Sequence, residues 1–304
     1  MKKIVIAGGS GFLGQALSLH FKNEFDEIII LSRQKNKQNG NIKYLQWDAK
    51  TFGDWCAELE GAEAVINLCG KSVDCRYTEK NRKEILASRI DSTKIIGDAI
   101  AKCTEPPKLW LNGASATIYR NSLDTPMSES SGEIGSGFSV DVCKAWEKVF
   151  DDLKLSNTRK IDLRISLVFG TTGGVLPTLL NVVKKGIGGK MGSGKQQVSW
   201  IHINDFCRMI SWLIENKTSN GIYNVVAPEP VTNASLMSLL RKKAGVSIGL
   251  PATAWMLEIG AFFIRTETEL ILKSRYIVPE RLMKEGFKFR FNTIEDCISA
   301  FEKF

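Results

Sequence analysis

Histidine is scarce in this chain: His20 and His202 are the only two among 304 residues, and neither stands at ligand spacing from a cysteine. No metal centre is therefore expected. The seven cysteines, at positions 56, 69, 75, 103, 143, 207 and 297, include no CxxC pair. An odd, scattered set reads as the reduced thiols of a cytoplasmic protein. Long apolar runs are missing too. The run at 4–7 is too short for a signal peptide and ends in glycines, and the stretch 254–264 carries Glu258 and is too short to span a bilayer, so no membrane partner is expected. Net charge is +8, but no dense basic run interleaved with aromatics is present, which argues against nucleic acid. The surplus cations suit a small phosphorylated ligand instead.

What is present is alternation. Up to residue 170, branched apolar runs (3–7, 27–32, 42–46, 64–68, 109–114 and 161–169) alternate with amphipathic segments (11–22, 78–102 and 138–155). Buried strands separated by helices are the mark of a parallel sheet. The expected fold is α/β: a doubly wound parallel sheet of Rossmann type over 1–170, with part of 200–227 returning to it. Residues 171–304 are expected to form a smaller, mainly helical substrate domain. Trp255, Phe262 and Phe263, at helical spacing, are expected in a core or a subunit interface, and a homodimer is one possibility.

The first strand runs into Gly8-Gly9-Ser10-Gly11-Phe12-Leu13-Gly14 and then a helix. Glycines at 8, 11 and 14 fit a tight turn, close approach to a pyrophosphate, and close helix–strand packing. The helix N-terminus adds free N–H groups and a positive dipole end. The second strand ends Leu31-Ser32-Arg33, with Lys35 and Lys37 following. A carboxylate at that place would bind a ribose 2′-hydroxyl, whereas Arg33 suits a 2′-phosphate, so the expected cofactor is NADP (NADPH). Asp48 either bonds the adenine amino group or caps its strand end. Leu68, Cys69 and Gly70 close the fourth strand, where backbone should line the cofactor's ribose.

With these residues in place, the chain resembles the extended short-chain dehydrogenase/reductase superfamily. More narrowly it resembles the atypical, sugar-nucleotide epimerase-like subgroup with its distinctive C-terminal segment. The resemblance is carried by residues 8–14, 67–70, 88–93, 115–119, 143–147, 192–194 leading to 199–202, and 279–287. It implies a catalytic set of Asn, Ser, Tyr and Lys, in which the tyrosine exchanges a proton with substrate while hydride moves to or from nicotinamide. Ser115 matches the serine, and Arg89 stands at the asparagine's place. Aligning Glu147 with the family's glutamate puts Ser139 at the tyrosine and Cys143 at the lysine; a shift of four puts Cys143 and Glu147 there. Neither register restores the pair, and Lys144 lies about 100° round the helix from Cys143. Tyr119, Cys143 and Glu147 are the candidate replacements.

Residues 189–195 nearly spell a P-loop, but Gln196 stands where Ser or Thr would hold Mg²⁺, which excludes an NTPase. Through the resemblance this is the substrate loop, offering Lys190 and Lys195 to phosphates beside Arg76 and Arg89. His202 either braces the substrate pocket or packs as a structural residue. The leading expectation is an NADP(H)-dependent oxidoreductase or epimerase-like enzyme for a nucleotide-sugar or other small phosphorylated substrate. The alternative is a non-catalytic NADP(H)-binding sensor or assembly factor.

Overall fold

The computed structural model describes residues 1–253, 255–258 and 267–302, so the expectation for Phe262 and Phe263 lies outside the described residues. Trp255 itself is exposed. Eight strands form the main sheet: β1 (Lys3–Ala7), β2 (Glu27–Ser32), β3 (Lys37–Asn39), β4 (Ile42–Gln46), β5 (Ala64–Asn67), β6 (Leu109–Ser115), β7 (Arg159–Ile165) and β11 (Gly221–Val225). Their order is β11-β7-β6-β5-β1-β2-β4-β3, and only the β3–β4 pairing is antiparallel. The order reverses at β1, which pairs with β2 on one side and β5 on the other. That switch point opens a crevice at the carboxyl ends of the strands, where ligands of such sheets bind.

The strands alternate sides with period two and feed two cores. Ile4, Ile6, Ile28, Ile30 and Ile66 face one side, packing with Leu17 of α1 (Phe12–His20) and Phe206 and Ile210 of α5 (Ile203–Glu215). Val5, Ala7, Ile29, Leu31 and Val65 face the other, against Ile95 and Ile96 of α2 (Glu79–Ile100) and Phe150 of α3 (Phe138–Asp152). Each fully buried branched side chain contributes about 1.5–3 kcal/mol, which is why these runs read as apolar on both faces.

Two features depart from the sequence reading. Residues 161–169 are not one strand. The chain breaks at Ser166, whose hydroxyl donates to the Ser199 carbonyl at 2.5 Å, and Leu167–Phe169 (β8) leaves the main sheet to pair with Trp200–His202 (β10). The edge strand β3 was not expected, because Lys37–Asn39 is polar and exposed and carries no apolar period. Beyond β8, α4 (Leu176–Lys184), α6 (Asn233–Ala244) and the short helix Ile294–Ala300 pack around Phe169, Trp200, Leu240 and Ile298. No helix among the described residues is long and apolar enough to cross a membrane.

Candidate active site

The glycine turn sits at the switch point. Gly8 has φ +74°, and a Cβ there would lie 3.0 Å from the Leu68 backbone; the turn and the end of β5 touch main chain to main chain. A Cβ on Gly14 would fall 2.3 Å from Gly9 Cα, so α1 docks on the turn at a distance only glycine permits. At Gly11 a Cβ would meet only the Gly8 carbonyl at 3.4 Å, and Gly11 is the helix N-cap with no side chain capping the first turn. The first-turn N–H groups are therefore left for an incoming acceptor. A dinucleotide pyrophosphate fits this cradle.

The other expected cofactor residues surround it. The Phe12 ring fills the space beside Gly170, Gly173 and Gly174, clamping the loop after β8 onto the start of α1. Ser10 follows the turn, and its carbonyl accepts from Gln15 Nε2 at 2.9 Å; Leu13 packs against the α1 side of the core. Ser32 is buried, its hydroxyl accepting the Gln34 N–H at 3.2 Å, and Arg33 beyond it is exposed. The Cys69 N–H is held by Asn67 Oδ1 at 3.1 Å, and Asn67 bonds Asn112 at 2.9 Å, which fixes the 67–70 wall. Desolvation pushes the Cys69 thiol up to about 12, so it is neutral filler. Of the two roles open to Asp48, the structure shows the cap. Its Oδ1 accepts the N–H groups of Lys50 (2.8 Å) and Thr51 (2.9 Å), and Oδ2 accepts the Thr51 hydroxyl.

Beside the wall, at the end of β6, lies a polar cup. Ser115 is half-buried and accepts the Thr117 N–H at 3.3 Å; the Cys143 thiol of α3 rests against its hydroxyl. One turn back on α3, Ser139 Oγ is 3.4 Å from the Tyr77 phenol. Arg89 reaches in from α2, with its Nη1 on the carbonyls of Lys71 (3.1 Å) and Ile85 (3.0 Å) and its plane 5.1 Å from the Trp146 ring. Gly70 makes room for it, since a Cβ there would lie 3.1 Å from Arg89 Cζ. Arg275 carries its charge to the same cup, close enough to act on both Cys143 and Tyr77. Among the described residues, neither Arg89 nor Arg275 forms a salt bridge with a carboxylate. Tyr77 and Arg275 were not anticipated. Nothing local in the sequence marks them, and they meet α3 only through folding.

Several expected site residues are elsewhere. Tyr119 is buried, donating its phenol proton to Asn224 Oδ1 at 2.9 Å and accepting from Arg164 Nη1 at 2.8 Å; both partners hold it away from any substrate. Its catalytic assignment is therefore corrected. Glu147 is likewise engaged, in a bidentate pair with Arg164 at 2.8 Å for each bond. Cys143 lines the cup, but burial first, then the Glu147 charge, pushes its thiol up to about 12, so it is a poor proton carrier. Lys190 and Lys195 are exposed on a loop tied to 249–252, where Gly189 N–H donates to Leu250 and Ala252 N–H to Lys190. The same loop is tied to the segment that carries Arg275, through Gln196 Nε2 to the Ile271 carbonyl at 3.3 Å and the Arg275 N–H to the Gln197 carbonyl at 2.7 Å. Arg76 pairs with Glu267 at 3.7 Å.

Of the two roles open to His202, the structure shows the packed, structural one. It is 3% exposed, its Nδ1 accepts the Asn204 N–H at 3.0 Å as the N-cap of α5, and it stacks on Phe301 with centroids 4.8 Å apart. Burial pulls its pKa down to about 4. A histidine lowered on folding binds more protons when unfolded, so its contribution is intact above the unfolded value near 6.5 and is lost as pH falls toward 4. Lowering pH from 7 to 5 should therefore cost about 2 kcal/mol through His202 alone. Urea unfolding at both pH values measures this. The difference between wild type and His202→Asn should shrink by that amount at pH 5, and an unchanged difference would refute the assignment.

A glycine cradle at the switch point of a parallel sheet, a serine ending β6 and a polar helix facing it define the class: an extended short-chain dehydrogenase/reductase of epimerase-like type. Residues 4–226 match the NAD dependent epimerase/dehydratase family, and the chain belongs to it; residues 252–301 match a domain of unknown function, DUF1731. It is 30% identical over 299 residues to the epimerase family protein YfhF of Bacillus subtilis, covering 97% of this chain and 96% of that one. The human epimerase family protein SDR39U1, whose crystal structure contains NADPH, superposes with a TM-score of 0.86 at 27% identity over 97% of each chain. A nucleoside-diphosphate sugar epimerase from Corynebacterium glutamicum superposes with a TM-score of 0.79 at 26% identity, over 98% of this chain and 57% of that one.

Proposed function

We propose that this protein is a cytoplasmic NADP(H)-dependent oxidoreductase that reduces or epimerises a small phosphorylated or nucleotide-linked carbonyl compound. What supports this reading is the charge beside Ser115: its hydroxyl bonds the Cys143 thiol, which both Arg89 and Arg275 reach, and neither guanidinium forms a salt bridge among the described residues, although the Glu269 charge acts on Arg275. Two guanidinium groups placed in this way are complementary to an anionic substrate. A sensor has no need of that charge.

The residues divide the work as follows. The N–H groups of the 8–14 turn and of the first turn of α1 would hold the pyrophosphate, and Arg33 a 2′-phosphate. Bound NADPH supplies a hydride. Ser115 donates its hydroxyl hydrogen to the substrate oxygen, and Arg89 and Arg275 anchor the phosphate. Ser115, at the end of β6, would orient the substrate beside the cofactor cradle.

Single-turnover oxidation of bound NADPH tests this across nucleotide-sugars and small phosphorylated carbonyl compounds. At least one compound should discharge the cofactor, and Ser115→Ala should slow that reaction by roughly 100-fold. No discharge by any compound would favour the sensor or assembly factor.

A further inference from the structure

We propose that Tyr77 is the proton donor of this site, replacing from the loop before α2 the phenol that α3 does not provide. The inference rests on the oxidoreductase reading above. The Tyr77 phenol stands 3.4 Å from Ser139 Oγ, one turn of α3 before Cys143, and the charges of Arg89, Arg275, Glu267 and Glu269 all reach it. Guanidinium groups are not proton donors in this sense, because they do not deprotonate in proteins. An aliphatic hydroxyl is far too weak an acid, and the buried Cys143 thiol is engaged with the Ser115 hydroxyl. The nearby carboxylates are taken up as well, Glu267 by the Tyr77 N–H and Arg76, and Glu269 by Lys273. The phenol is left as the donor.

The surroundings of Tyr77 suit that task. Its backbone N–H is fixed by Glu267 Oε1 at 2.7 Å, and its ring packs edge-on to Phe138 with centroids 4.9 Å apart. Arg82 covers both rings, 5.8 Å from that of Tyr77 and 4.5 Å from that of Phe138. Among the described residues the phenol has one weak tie, the 3.4 Å contact to Ser139, so it can turn to a substrate oxygen without breaking a strong bond to them. Burial raises its pKa above the ordinary value; Ser139 acts the other way, and the charges of Glu269 and Glu267 add to the rise. It therefore stays protonated at neutral pH, the state a donor needs. Arg89 and Arg275, each within electrostatic reach of Tyr77, stabilise the phenolate left behind.

In the step itself the substrate carbonyl carbon accepts the hydride and its π pair moves to oxygen. That oxygen takes the Tyr77 proton, so the carbonyl becomes an alcohol and the dinucleotide is left oxidised. Solvent then reprotonates the phenolate by way of the Ser139 hydroxyl.

The test is an ultraviolet difference titration of tyrosinate with NADP⁺ or NADPH bound, in wild type and Tyr77→Phe. A positively charged nicotinamide ring beside the phenol favours the phenolate. One of the five tyrosines should thus ionise at lower pH with NADP⁺ than with NADPH, and Tyr77→Phe should abolish that difference. No difference in wild type, or the same difference in Tyr77→Phe, would overturn the proposal. Where a carbonyl compound discharges bound NADPH, Tyr77→Phe should slow it by roughly 100-fold or more with NADPH affinity kept; an undiminished rate would also overturn it. A wild type that shows the titration but oxidises NADPH with no compound supports the place of Tyr77 and defeats the oxidoreductase reading instead.

Discussion

Gly14→Ala is expected to lose NADPH binding by roughly 100-fold or more. The added methyl would lie 2.3 Å from Gly9 Cα and 2.7 Å from its carbonyl oxygen. Both contacts are backbone, so no rotamer change relieves them, and α1 must back away from the turn. Overpacking of this kind costs about 1–3 kcal/mol in stability. Binding suffers more, because the first-turn N–H groups move with the helix. Two charge-assisted bonds to phosphate, at about 1.5–3 kcal/mol each, correspond to at least 100-fold in affinity. Fluorescence titration of NADPH measures the loss, and thermal unfolding checks that the variant is folded. A folded Gly14→Ala protein with wild-type affinity would mean that the pyrophosphate does not lie on this turn.

Glu147→Ala is expected to destabilise the protein by about 3–5 kcal/mol. Glu147 and Arg164 are 7% and 6% exposed, so removing the carboxylate leaves a guanidinium buried without a counter-charge. Burial pulls Arg164 down, but the hydrogen bonds and charge of Glu147 outweigh it and hold its pKa above the ordinary value. The loss spreads further, since Arg164 also fixes the Tyr119 phenol, which is bonded to Asn224 of β11. Replacing both partners by apolar residues, Glu147→Leu with Arg164→Met, removes the uncompensated charge and should recover most of the stability. Urea unfolding of the single and double variants decides it. A Glu147→Ala loss under about 1 kcal/mol would show the pair to be no more than a surface-like contact.

The cofactor half of the site was legible because its information is local. A strand, a glycine turn and a helix start lie within residues 3–20, and β1, β2 and β4 begin and end where their apolar runs do. Local apolarity failed at Ser166, where a side chain bonded 33 residues away turns β8 out of the sheet. The catalytic half was legible only in part. The family resemblance singled out Ser115, Cys143 and Arg89, but not Tyr77, which meets Ser139 of α3 62 residues away only through tertiary folding. Tyr119 was misassigned for the same reason. Its partners Arg164 and Asn224 lie 45 and 105 residues further on, and no spacing rule reveals that they immobilise the phenol. For His202 the sequence left a pocket role and a packing role open, because the rings of Phe291 and Phe301 that stack on it lie about 90 residues or more away.

This sheet is expected to carry a working NADP(H) site, with Arg33 reading the 2′-phosphate. Calorimetric titration of the purified protein with NADPH and with NADH tests it directly. Wild type should bind NADPH more tightly, and Arg33→Ala should cost about 1.5–3 kcal/mol for NADPH while leaving NADH little changed. Tighter binding of NADH by wild type, or no binding of either dinucleotide, would contradict the account.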